Sequence, residues 1–218
     1  MKSGSLFVCA AGCAFALTST TETLQHFAPL AGSPAHAADA CTTDVAKDEL
    51  SDAQALALFD CIKERLYSGL QRSGLAEAKA YRDWPMASTN PFISATHGNR
   101  FVNHYVNETG REAYLKWDAI GGRTMPVGSI AAKESFNITK NGEVRPGPFF
   151  LMEKVSAGSL PETDDWKYTL MFPNGKVVGV SGTETGGKVK FCHDCHVGVL
   201  EDQDALFFPD EAYRVRAN

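Results

Sequence analysis

The chain has 218 residues, 44% of them hydrophobic and 22% charged, with a net charge of −5. That apolar content excludes disorder as the main state, and the acidic balance argues against a nucleic-acid binder. Beyond the N-terminus no apolar run approaches the ~20 residues that a spanning helix needs, so no membrane span is expected.

Residues 1–37 read as an export signal. Lys2 precedes the apolar run Leu6–Leu17, a Ser/Thr patch follows, and Ala35-His36-Ala37 is a small-x-small cleavage pattern. A periplasmic location follows from that reading. Of the six cysteines, Cys41, Cys61, Cys192 and Cys195 lie beyond the cleavage point. In an oxidising compartment a Cys41–Cys61 bridge is the natural reading, with two unpaired buried thiols as the alternative.

Residues 38–90 read as a helical N-terminal extension. Ser51 with Gln54 makes a capping box, and Leu50 stands at the staple position before it. Ala55, Leu58, Phe59, Ile62 and Leu66 recur at i, i+3, i+4 spacing, which predicts a helix over about 52–69. Ser73-Gly74 ends it, and a second short helix is expected over 75–83, before Trp84-Pro85. Residues 86–99, with Pro91 and Gly98, read as loop, and Glu108–Asp118 as another short helix. From about residue 128 the chain changes to strand chemistry. Ile130–Phe136, Phe149–Val155, Trp166–Phe172 and Val177–Ser181 are the candidate strands, with tight turns at Asn141-Gly142 and Asn174-Gly175. Successive hairpins imply an antiparallel sheet, and helices segregated ahead of it give the class α+β.

Cys192-His193-Asp194-Cys195-His196 is C-x-x-C-H, the attachment signature of c-type haem. Two thiols that add across the two vinyl groups of a haem must lie one helical turn apart. The histidine after the second cysteine is then placed to ligate the iron. Attachment takes place outside the cytoplasm, in agreement with the export signal. Two other chemistries fit the cysteines. A structural zinc site would use Cys192, Cys195 and His196 with a fourth ligand from His193, His97 or His104. A redox dithiol would need a thioredoxin-like βαβ unit, which does not surround the motif. His193 reads as a solvated side chain. The short tail after His196 contains no methionine. Met86, Met125, Met152 and Met171, upstream, read as core or loop residues, so the sixth iron position is expected to be open.

The stretch from about 97 to 216 resembles the cytochrome P460 family of periplasmic c-haem proteins. The resemblance is carried by Tyr114-Leu-Lys-Trp117, by Met125-Pro-Val-Gly-Ser-Ile-Ala-Ala-Lys-Glu134 and by Asp165-Trp-Lys-Tyr-Thr-Leu-Met-Phe172. Cys192–His196 and the tail Leu206-Phe-Phe-Pro-Asp-Glu-Ala-Tyr-Arg-Val215 complete it. It implies a β-rich haem domain over 91–218, often dimeric, with one covalent haem c against an antiparallel sheet. It further implies oxidation of hydroxylamine or a related small nitrogen species, with electrons passing to a soluble acceptor. Relatives called cytochromes c′-β bind nitric oxide at an apolar face instead, so a non-catalytic gas-binding or electron-transfer protein is the alternative. Lys133 stands where the family's haem-cross-linking lysine falls; a strand lysine desolvated at a haem edge is a usable nucleophile. An ordinary ion pair with Glu134 or Glu153 is the other reading. Glu184, beside Thr183, falls in the window of the family's distal acid and is the candidate general base, or else a solvated loop residue. Phe149, Phe150 and Phe191 are candidate pocket walls or plain core.

Overall fold

A computed structural model describes residues 41–116 and 124–216. The export signal over 1–37, and Trp117 and Asp118 of the expected short helix, lie outside the described residues. No helix among the described residues is long and apolar enough to cross a membrane.

Helix α1 (Asp52–Gln71) begins as its cap dictates. The Ser51 hydroxyl accepts from the Gln54 N–H at 3.3 Å, and the Gln54 side chain accepts from the Ser51 N–H at 2.9 Å. Ala55, Phe59, Ile62, Leu66 and Leu70 form its buried stripe. Each fully buried Leu, Ile or Phe there contributes roughly 1.5–3 kcal/mol relative to exposure. Helix α2 (Ala76–Ala80) runs into a single 3₁₀ turn, Tyr81–Asp83. Strand β1 (Phe92–Ser94) lies within the expected loop, and β2 (Arg100–Val106) has no counterpart among the expected elements. Helix α3 (Glu108–Leu115) starts at Asn107, whose side chain accepts from the Gly110 N–H. Then come β3 (Ile130–Ile138), β4 (Val144–Pro146), β5 (Phe149–Lys154), β6 (Trp166–Met171) and β7 (Val177–Val180), followed by α4 (Lys190–His196).

The seven strands make one antiparallel sheet in the order β1-β2-β3-β5-β6-β7, with β4 also paired to β3. With the helices, this is the expected α+β class. The turn at Asn141-Gly142 is closed by a Gly142 N–H···Thr139 carbonyl bond of 2.9 Å, and Gly142 sits at φ 76°. A side chain there would also strike the Thr43 carbonyl, so glycine is demanded twice.

Strand period decides the architecture. Side chains at i and i+2 share a face of the sheet. Phe101, Tyr105, Ala132, Phe136, Phe149 and Leu151 pack toward α1 and α2. Ala131, Met152, Tyr168 and Leu170 pack on the other face, with Val189 and Leu206 of the C-terminal segment. The helical layer also buries a charge. Glu134 accepts hydrogen bonds from the Tyr81 hydroxyl at 2.8 Å and from the Tyr105 hydroxyl, and lies 3.4 Å from Arg82. Burial, and then the Glu134 charge, push both tyrosine pKa values up.

The start of the described chain is tied to this layer. The Thr43 N–H donates to the Gly142 carbonyl and the Val144 N–H to the Cys41 carbonyl. Cys41 is disulfide-bonded to Cys61 of α1, with a Cα–Cα distance of 5.9 Å. Closing a loop of this length stabilises a fold by about 3 kcal/mol through the unfolded state. Cys61→Ser should therefore lower the unfolding free energy by about that amount in denaturant titration, with little change in the sheet.

Candidate functional site

Helix α4 carries the Cys-x-x-Cys-His motif across one turn and a half, beneath the sheet face opposite α1. Its Cys192, Cys195 and His196 line a cavity of about 280 Å³, close to the lower end of cofactor-site volumes. The sheet supplies Ala131 and Lys133 from β3, Phe150 and Met152 from β5, and Tyr168 and Leu170 from β6. These are i, i+2 pairs on three neighbouring strands, so one sheet face forms one wall. The turn between β1 and β2 adds Thr96 and His97, the start of β2 adds Arg100, and the tail adds Leu206 and Phe207.

His196 is buried and oriented. Its Nδ1 lies 2.5 Å from the Ala205 carbonyl. That acceptor requires Nδ1 to carry the proton, which leaves Nε2 as the lone-pair nitrogen. Burial pushes the His196 pKa down to about 4, with Lys133 acting the same way. The ring is therefore a neutral imidazole at pH 7, the form a metal needs. The Ala205 carbonyl is itself positioned. Asp204 and Ala205 both have positive φ, 45° and 62°, in a bend that Asp204 clamps. Its carboxylate lies 2.8 Å from Lys154 Nζ, 2.6 Å from the Met125 N–H nitrogen and 3.4 Å from Trp166 Nε1.

Cys192 and Cys195 are not bridged to each other, and burial pushes the Cys192 thiol up to about 11. Lys133 is 7% exposed. Its ammonium donates to the Phe207 carbonyl at 3.2 Å and has no carboxylate beside it among the described residues; Glu134 pairs with Arg82 and Glu153 with Lys167. Burial lowers its pKa to about 7, against a smaller opposing effect of Cys195.

Several expected placements differ. Glu184 is exposed on the turn after β7 and does not line the cavity. In that turn Gly182 has φ 74°, and the Thr183 hydroxyl bonds the Val180 carbonyl and the Thr185 hydroxyl. Phe150 and Phe191 line the cavity, but Phe149 has the other strand parity and packs against Tyr81 on the helical side. His193 is not solvated. Its ring lies 6.1 Å from that of Tyr168, and Nε2 is 3.5 Å from Asp164. Met125 and Met171 are core, Met86 is partly exposed, and Met152 is a cavity wall. Residues that the sequence did not single out for this site are Tyr168, Asp204 and, as a cavity residue, His97.

The donor set fits a haem better than zinc. Among the described residues no group of three or more His, Cys, Asp or Glu converges as a metal cage. The two thiols and the oriented imidazole instead face a largely apolar cavity. The buried Tyr168 hydroxyl points to the same fit, since it has no hydrogen-bond partner among the described residues. The family model of cytochrome P460 matches residues 78–208, well over half of the chain, beginning within α2. No curated protein matches the chain.

Two outcomes test this geometry. Asp204→Ala leaves the Lys154 ammonium buried without its carboxylate, and should cost about 3 kcal/mol in denaturant unfolding. For Lys133 the sign follows from protonation. Between pH 7 and about 10.4 the unfolded chain binds a proton that the folded chain does not, so stability rises with pH across that window. Lys133→Met in the haem-free chain should thus be more stable than the parent at pH 7, with the difference shrinking towards pH 10.

Proposed function

Because the chain belongs to the cytochrome P460 family, we propose that it is an exported, periplasmic mono-haem c-type protein. It acts on hydroxylamine or a related small nitrogen species and passes electrons singly to a soluble acceptor. A bound haem supplies a one-electron redox centre and an iron that takes a nitrogen ligand. Cys192 and Cys195 are the attachment thiols, and His196, held through Nδ1 by Ala205, is the proximal ligand.

The observation that carries the nitrogen-species reading is Lys133. It is a buried amine in the same cavity as the motif, with a pKa lowered by burial to about 7. A large share of it is neutral at pH 7. A neutral amine there can accept a proton at Nζ, and it stands where the family's porphyrin-linked lysine falls. That link exchanges an N–H and a rim C–H bond for one C–N bond and needs an external two-electron oxidant to take up the two hydrogens. Phe150, Leu170 and Phe207 keep the surroundings apolar, which preserves that lowered pKa.

One observation favours the second reading, a nitric-oxide-binding or electron-transfer cytochrome without turnover. Glu184 is exposed, and no carboxylate is among the described residues that line the cavity. A proton acceptor for hydroxylamine would have to be a nitrogen base.

Expression with haem-maturation machinery should give a haem-staining band that survives denaturing electrophoresis and is lost in the Cys192→Ala, Cys195→Ala double variant. The ferrous protein should show a Soret band far to the red, absent in Lys133→Ala, and should reduce an acceptor dye with hydroxylamine. An ordinary c-haem spectrum with no dye reduction would leave the binding reading in its place.

A further inference from the structure

We propose that His97 is the second axial ligand of the haem held by His196. The resting iron then carries two imidazoles, and a small ligand enters only by displacing His97. The inference rests on the haem reading above, and replaces the open sixth position that the missing downstream methionine suggested.

The two rings line the same cavity with their centres 6.3 Å apart. An imidazole nitrogen lies about 2.0–2.1 Å from a bound metal ion and roughly 1.1 Å from its own ring centre. Two imidazoles facing one another through a single ion therefore have centres about 6.3 Å apart. Each ring is also anchored by the same atom. His97 Nδ1 lies 2.9 Å from the Ser94 hydroxyl and 3.2 Å from that of Thr96, as His196 Nδ1 lies 2.5 Å from the Ala205 carbonyl. Among the described residues neither Nε2 has a hydrogen-bond partner. Anchoring Nδ1 by a second group while Nε2 stays free is how proteins orient a ligating histidine.

The anchors differ in strength, and the difference gives the two ligands different roles. His196 sits on a helix and bonds a carbonyl clamped by the Asp204–Lys154 ion pair. His97 closes a single 3₁₀ turn, Ala95–His97, followed by Gly98 and Asn99 at φ 75° and 53°. Its anchors are the hydroxyls of Ser94, the last residue of β1, and of Thr96 in the turn itself, and its ring rests edge-on against Phe150 at 4.9 Å. A ligand borne on a short turn between β1 and β2 is the one that leaves.

The test uses the haem-loaded full chain. Electron paramagnetic resonance of the ferric protein should show a low-spin signal of the two-imidazole type, and His97→Ala should turn it high-spin, with added imidazole restoring the low-spin form. Carbon monoxide binding to the ferrous wild type should reach a rate that no longer rises with ligand concentration. In His97→Ala it should stay linear and be at least ten-fold faster at high ligand concentration. A high-spin wild type, which needs no variant to observe, overturns the proposal. So does a low-spin signal that His97→Ala leaves unchanged. In both cases the haem-stained band survives; a chain that takes up no covalent haem fails the earlier reading instead.

Discussion

Lys133 and Glu134 are neighbours in β3, and the two-residue period of a strand sends them to opposite faces of one sheet. Both are nearly inaccessible, at 7% and 1% exposure, so each face must deal with a buried ionisable group. The helical face does so completely. Tyr81, Tyr105 and Arg82 converge on the Glu134 carboxylate, with two hydroxyl donors and a guanidinium. The cavity face gives Lys133 one carbonyl, that of Phe207. A buried charge with one neutral acceptor is poorly stabilised, and the amine answers by losing affinity for its proton. The chemistry of the site and the rigidity of the opposite layer are thus two consequences of one dipeptide's position in a strand.

The C-terminal segment shows how a seven-residue helix can hold a site. Helix α4 is too short to be stable by itself. Its geometry is imposed from outside, by Val189 and Leu206 packed into the sheet and by the His196–Ala205 bond. That bond depends on a left-handed pair, Asp204 and Ala205, which L residues adopt only when the surroundings compensate. The Asp204 carboxylate provides the compensation by joining β5, β6 and the Met125 backbone at one point.

Where the local code is strong, the sequence could be read directly. The capping box at Ser51, the Asn-Gly turns and the alternating strands from Ile130 onward all appear within a residue or two of expectation. Strand β2 did not announce itself, because it is buried on both faces and carries Asn103 and His104 in its middle; no alternation survives such a pattern. Strand β1 has three residues inside a Pro/Gly stretch. The motif itself was legible, since its spacing is local. The rest of the site was not, because Tyr168 on β6, His97 on the turn before β2 and Asp204 in the tail meet around the motif only in the folded chain. Glu184 lies outside the cavity lining for the converse reason: an offset counted along a glycine-rich turn does not fix where a residue falls.

The cavity's charge separates what it can bind from what it can do. Arg100, Lys133 and two histidines line it, and no carboxylate among the described residues does, although the chain as a whole carries −5. The histidines are neutral by burial, so the positive charge is that of Arg100 and the protonated share of Lys133, and with no carboxylate against it the lining suits a cofactor that brings its own carboxylates, as haem does. It offers little hold on a neutral molecule the size of nitric oxide or hydroxylamine, and on the proposed reading the iron would retain it. Among the described residues that line the cavity, Nζ of Lys133 and Nε2 of His97 are the nitrogen bases placed to take a proton from such a molecule. If Lys133 is bonded to the porphyrin and His97 holds the iron, neither is available in the resting state. Displacement of His97 would then free both a coordination position and a base in one event, and the same residue that closes the site would complete it.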